Sequence, residues 1–103
     1  MTDLELRYWR WRLNRPQRLG RTARRRWRRW YVTYLRTLGW RRRRAVAIAR
    51  AHGRCEQCGR EQWGQWPDVA QVHHLTYRNL GRERLSDLRV LCLSCHAKQH
   101  PRP

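Results

Sequence analysis

The chain lacks any apolar stretch long enough to cross a bilayer, and its opening residues, Met1 to Glu5, do not begin an apolar leader. These absences argue against a membrane partner and predict a cytoplasmic protein whose thiols stay reduced. Acids are scarce: seven Asp and Glu face 25 Lys and Arg, for a net charge of +18. Lysine is nearly missing, with Lys98 the single example against 24 arginines. No internal repeat is visible, so a solenoid is not expected. A chain of 103 residues predicts one domain with a modest core, of a size that commonly needs a metal or another staple.

The positive charge is uneven. Residues 1–50 carry seventeen arginines against Asp3 and Glu5, a net of +15, whereas residues 51–103 reach only +3. Such a field attracts a polyanion, and nucleic acid is the expected partner. Guanidinium suits bidentate phosphate recognition. An arginine-favouring codon bias explains the Arg-to-Lys ratio equally well, but not the net charge.

Four cysteines form two pairs, Cys55–Cys58 and Cys92–Cys95, each C-x2-C, separated by thirty-three residues. Four thiolates around one tetrahedral Zn2+ are the expected arrangement, a structural zinc that clips the chain together. The alternatives are two disulfides, which fit a reducing compartment poorly, or free buried thiols. A finger built from Cys55, Cys58, His96 and His100 would need too long an insert and would leave Cys92 and Cys95 idle.

Residues 3–13 fit either period: they alternate loosely, yet Leu6, Trp9 and Leu13 share a helical face. Asn14 to Gly20, around Pro16, reads as a linker. From Thr22 to Leu38, Trp27, Trp30, Tyr31, Tyr34, Leu35 and Leu38 recur at helical spacing, with Thr22 as cap and Gly39 as stop. This aromatic stripe is expected to be core or partner contact more than a base-stacking platform. Trp40 to His52 forms the next helix, with Thr37 a competing cap, Trp40, Ala47, Ile48 and Ala51 facing inward, and Gly53 closing it. Arg24, Arg25, Arg28 and Arg29 on the first of these helices and Arg41, Arg42, Arg43 and Arg44 on the second are the expected phosphate contacts. A knuckle at Cys55–Gly59, a loop from Arg60 to Asp68, strands at Val69–Leu75 and Leu88–Leu91, and a helix from Ser94 to His100 complete the chain. The expected organisation is a basic Trp/Arg-rich segment (1–21), an arginine-rich helical lead-in (22–53) and a zinc-stapled core (54–103).

Four of the five histidines lie between Val72 and His100. His96 and His100 are one helical turn apart, the spacing with which a helix offers two imidazoles to one ion. His73 and His74 are adjacent, and on a regular strand they would point to opposite faces, so a shared site needs the strand to end or bulge there. His52, just before Gly53, reads as structural.

The run C-E-Q-C-G, then V-H-H-L-T-Y, then D-L-R-V-L-C-L-S-C-H-A-K-Q-H resembles the small HNH endonucleases of bacteria and phages, over roughly residues 31 to 100. The resemblance implies a small α+β fold, the ββα-metal (HNH or His-Me finger) motif with four-cysteine zinc knuckles, preceded here by arginine-rich helices. It further implies a metal-dependent endonuclease that hydrolyses DNA, leaving 5′-phosphate and 3′-hydroxyl ends, in a bacterial or phage-infected cell. His74 matches the family's general base, His73 and His96 match ligands of the catalytic ion, and His100 matches an additional ligand of some members. Asp87 falls where the family usually has an asparagine that ties down the loop and orients the base. An ionised aspartate cannot donate an amide proton, so either the loop is tied differently or Asp87 holds an imidazole N–H. The catalytic divalent cation is expected among Mg2+, Mn2+, Ni2+ and Zn2+. RNA is the alternative substrate. Two other classes stay open: a non-catalytic zinc-stapled nucleic-acid binder, and a homodimer or accessory subunit of a larger phage DNA-packaging or RNA-guided assembly, joined through the Trp-rich N-terminal segment.

Overall fold

The structure, a computed structural model, describes residues 2–15, 18–61 and 70–99. Three helices, α1 (Asp3–Leu13), α2 (Arg21–Tyr34) and α3 (Leu38–Ala51), precede a two-stranded antiparallel hairpin of β1 (Gln71–His74) and β2 (Leu88–Leu91). A short 3-10 segment, Leu85–Asp87, leads into β2, and α4 (Leu93–Gln99) follows it. The loop expected over Arg60 to Asp68 lies mostly outside the described residues, as does His100.

The first segment resolves as a helix because Thr2 caps it, its hydroxyl accepting from Glu5 N–H at 3.2 Å, while Asp3 and Glu5 complement the helix dipole. Trp9 is its buried anchor. Arg10 donates to the Leu80 carbonyl at 2.8 Å, and Leu6 lies so close to Gly81 that a Cβ there would meet its methyl at 2.8 Å. Gly81 also has φ +88°, so both conformation and space require glycine.

The α2 and α3 boundaries differ from expectation. Gly20, with no side-chain cap, stands before α2, and Gly39 sits inside the first turn of α3 instead of ending α2. Thr37 explains the difference: its hydroxyl accepts from Trp40 N–H at 3.4 Å and donates to the Tyr34 carbonyl at 2.7 Å, serving both helix ends. At the far end His52 adopts the left-handed conformation (φ 52°) and Gly53 follows with φ 74°.

The aromatic stripe is core. Trp9, Tyr34, Trp40, Ala47, Ile48 and Ala51 are buried together with Leu80, Leu88 and Val90, and Trp27, Trp30, Tyr31, Leu35, Val72 and Tyr77 pack against them. Leu38, expected in the stripe, is exposed. A second, smaller cluster joins Leu91 to Cys55, Cys92 and Cys95. The hairpin lies between the two. Its register pairs Gln71 with Leu91, Val72 with Val90, His73 with Arg89 and His74 with Leu88. Because side chains alternate, Val72, His74, Leu88 and Val90 meet the aromatic core, while His73, Arg89 and Leu91 face α4 and the cysteines.

Candidate active site and metal centre

The cysteine pairs meet. The sulfurs of Cys55, Cys58, Cys92 and Cys95 all lie within 4.8 Å of one another, and Cys58 and Cys92 are 3.9 Å apart. A tetrahedron of thiolates around Zn2+ has edges of about 3.8 Å, so the set fits one ion. All four are free thiols, which excludes the disulfide alternative here. Backbone N–H groups of Gln57 and Cys58 donate to Cys55 Sγ, and that of Cys95 to Cys92 Sγ, each at 3.4 Å. Burial pushes the Cys55 thiol up, but N–H donors from Cys58, Cys92 and Gln57 outweigh it and bring it down to about 6. Cys95 is pushed up to about 12, by burial and then by the neighbouring sulfurs. One thiolate is thus favoured without a cation, and further thiolates would need a cation to offset their repulsion.

The strand runs regularly through both histidines, with no bulge, so His73 and His74 part. His74 enters the core, its side chain fully inaccessible. Its ring stacks on Trp40 at 4.7 Å, Nε2 lies 2.7 Å from Glu83 Oε2, and Nδ1 lies 2.7 Å from the Tyr31 hydroxyl. Burial raises the Glu83 carboxyl, but hydrogen bonds from His74 and Tyr34 outweigh it and hold it below the usual carboxylate range. An ionised carboxylate only accepts, so His74 Nε2 carries the proton, and in the neutral ring Nδ1 accepts from Tyr31. Burial pushes the Tyr31 hydroxyl well up, keeping it a donor. Both nitrogens of His74 are therefore engaged inside the protein.

Glu83, unmarked by any sequence motif, is the centre of this network. Tyr34 donates to it at 2.6 and 2.7 Å, Gly81 N–H at 3.0 Å, and Arg43 Nε lies 3.0 Å away, off the line of a good hydrogen bond. Arg43 also donates to the Tyr34 hydroxyl at 3.1 Å, and Arg44 to the Ala70 carbonyl at 3.2 Å. These two arginines, read from sequence as phosphate contacts, are half-buried and engaged internally, because α3 turns that side toward the hairpin. Arg41 and Arg42 are exposed, as are Arg24, Arg25, Arg28 and Arg29. Arg24, Arg25 and Arg28 line one cleft with Arg21, and Arg29 borders the groove between α1 and α2.

On the opposite face His73 meets His96 of α4, with ring centroids 6.2 Å apart and planes at 73°. Two imidazoles on one tetrahedral ion have centroids roughly 5 Å apart, somewhat closer than this pair. Asp87 is hydrogen-bonded within its own loop. Its Oδ2 accepts from Asn79 Nδ2 at 2.9 Å and Arg84 N–H at 3.0 Å, and its carbonyl accepts from Leu75 N–H at 2.8 Å. The Asn79 and Arg84 hydrogen bonds hold its carboxyl below the usual range. In this loop the amide donor comes from Asn79 and Asp87 accepts.

Residues 55–102 match the family model described as HNH endonuclease. No curated protein and no solved structure matched the chain. Among the described residues, no helix is long and apolar enough to cross a membrane.

Proposed function

Because residues 55–102 of this chain are an HNH domain, whose family acts on nucleic acids, we propose that the protein is a metal-dependent endonuclease cutting DNA, with a structural Zn2+ in its four-cysteine centre. The observation that carries this reading is the approach of His73 and His96 on the α4 face of the hairpin. A divalent cation bound there would offset charge on the phosphoryl oxygens and on the leaving oxygen. His96 is its anchor on α4, and the family resemblance adds His100 as a further ligand. His73 holds the position from which an imidazole can take a proton from water.

The family resemblance assigns that proton to His74. For His74 to accept it, the ring would first have to release Tyr31 or Glu83 and leave the core. We therefore read His74 as the residue that fixes β1, and so the direction of His73. The exposed arginines of α2 and the start of α3 supply salt-dependent grip on the phosphate backbone that is indifferent to sequence.

The test is supercoiled plasmid incubated with Mg2+, Mn2+, Ni2+ or Zn2+ in turn. Nicked circle is expected with at least one added cation, and not with His73→Ala or His96→Ala. Plasmid binding without cutting under every cation would leave a zinc-stapled nucleic-acid binder, a reading the enclosed His74 ring favours.

A further inference from the structure

We infer that Arg89 is a phosphate seat in the candidate active site, taking the nonbridging oxygens of the phosphodiester that His73 and His96 address; this rests on the nuclease reading above. Arg89 is the register partner of His73 on the neighbouring strand. Directly paired residues of an antiparallel ladder project from the same face with Cβ atoms about 5 Å apart. Arg89 is the one exposed residue of β2, between buried Leu88 and buried Val90. With His96 against His73, three nitrogen-bearing side chains gather on one face.

Arg89 also forms no ion pair among the described residues. Glu56 feels its charge, yet that carboxylate is taken by others. Arg50 grips both Glu56 oxygens, at 2.8 and 2.6 Å, and Val90 N–H donates to Glu56 Oε1 at 2.8 Å. Burial pushes the Glu56 carboxyl up, and the Arg50 and Val90 hydrogen bonds, with the charges of Arg50 and Arg89, bring it below the usual range. Among the described residues no carboxylate claims the guanidinium of Arg89, which leaves it open to an outside anion. Its planar fork matches two nonbridging oxygens of one phosphate, which a lysine ammonium does not.

Two measurements test the seat. The first needs no catalytic cation: dimethyl phosphate is titrated into the zinc-loaded protein while the arginine Nε–H resonances are followed by NMR, with Arg89→Ala assigning the signal. A saturable shift of the Arg89 resonance is expected. The second compares nicking by wild type, Arg89→Ala, Arg89→Lys and, as a surface control, Arg78→Ala. Arg89→Ala should lower kcat about a hundredfold with little change in KM, Arg89→Lys should recover only part, and Arg78→Ala should stay within about twofold of wild type. A silent Arg89 resonance, with Arg89→Ala within twofold of wild-type kcat, overturns the seat and leaves the nuclease reading standing. A saturable shift in a protein that cuts under no cation keeps the seat and removes the nuclease reading.

Discussion

The two faces of the β1–β2 hairpin are made from alternate residues of the same two strands, and they do opposite work. On the face toward α2 and α3, Val72, His74, Leu88 and Val90 close an aromatic core in which each polar atom of the histidine ring has a protein partner. On the face toward α4, Leu91 packs with the cysteines, His73 meets His96 and Arg89 is exposed. The same residue type, one position apart, is thus packed inside on one side and, in the function proposed above, set for chemistry on the other. The difference follows from the two-residue period of a strand. Side-chain identity does not distinguish the two rings; the alternation does.

The largest effect should come from the α4 face. Zinc binding in small stapled domains is folding energy on the order of 10 kcal/mol, comparable to the whole stability of a chain this size. Cys92→Ser, or complete removal of zinc, should therefore abolish the cooperative thermal transition of the hairpin and α4. A melt unchanged in protein shown by elemental analysis to be metal-free would refute the structural role of the centre.

Next come the histidines, where the two faces separate stability from activity. His74→Ala leaves the buried Glu83 charge without its imidazole partner and should cost about 3–5 kcal/mol, read from denaturant unfolding. His73→Ala and His96→Ala should stay within about 1 kcal/mol of wild type yet lose nicking about a hundredfold or more. His74→Gln sharpens the contrast, since its amide can donate to Glu83 and accept from Tyr31 but cannot take a proton from water. If that variant stays folded and cuts within about tenfold of wild type, proton transfer does not belong to His74. A folded His74→Gln that has lost cutting a thousandfold would return the role to His74 and refute the assignment to His73.

Much of this is legible in the sequence. The cysteine spacing names the metal centre, the expected β2 boundaries match residue for residue, and Trp40, Ala47, Ile48 and Ala51 lie inside as their spacing predicts. The alternation of a strand even raises the difficulty of two adjacent histidines in one site. What stays hidden is long-range. Nothing local marks Glu83, since an acid in a polar loop is ordinary until Tyr34 and Arg43 arrive from helices 49 and 40 residues away. Arg43 and Arg44 look like Arg41 and Arg42 in sequence, and only the packing of α3 on the hairpin decides which guanidinium turns inward. The helix boundary near Gly39 departs from expectation because Thr37 can cap α3 and hold the end of α2 at once.

A smaller effect should appear in acid. The Glu83 carboxyl is held below its ordinary range, so the stabilisation is fully present above the unfolded value, at neutral pH. It is lost as pH falls below the ordinary glutamate range and through the depressed folded value. Asp87 shifts in the same direction and contributes in the same window. Glu83→Gln should be less stable at neutral pH, yet lose less on further acidification than wild type, as followed by far-UV circular dichroism. An unaltered acid profile in that variant would show that the network on the core face carries no such linkage.

The arginines repeat the contrast on a finer scale. Arg24, Arg25 and Arg28 point outward from α2, whereas Arg43 is bound to Glu83 and Tyr34. An outward guanidinium that touches a phosphate displaces a counterion, so Arg24→Ala should reduce the slope of log K against log salt by about 1. Arg43→Ala should leave that slope unchanged and instead cost about 1–3 kcal/mol of stability, because it weakens a buried network. Anisotropy of a labelled duplex at several salt concentrations, alongside thermal melts, reads both quantities in the same preparations. Equal slope changes in the two variants would mean that Arg43 reaches DNA, and then the division of labour between an inward-packed and an outward-gripping side of the lead-in helices does not hold.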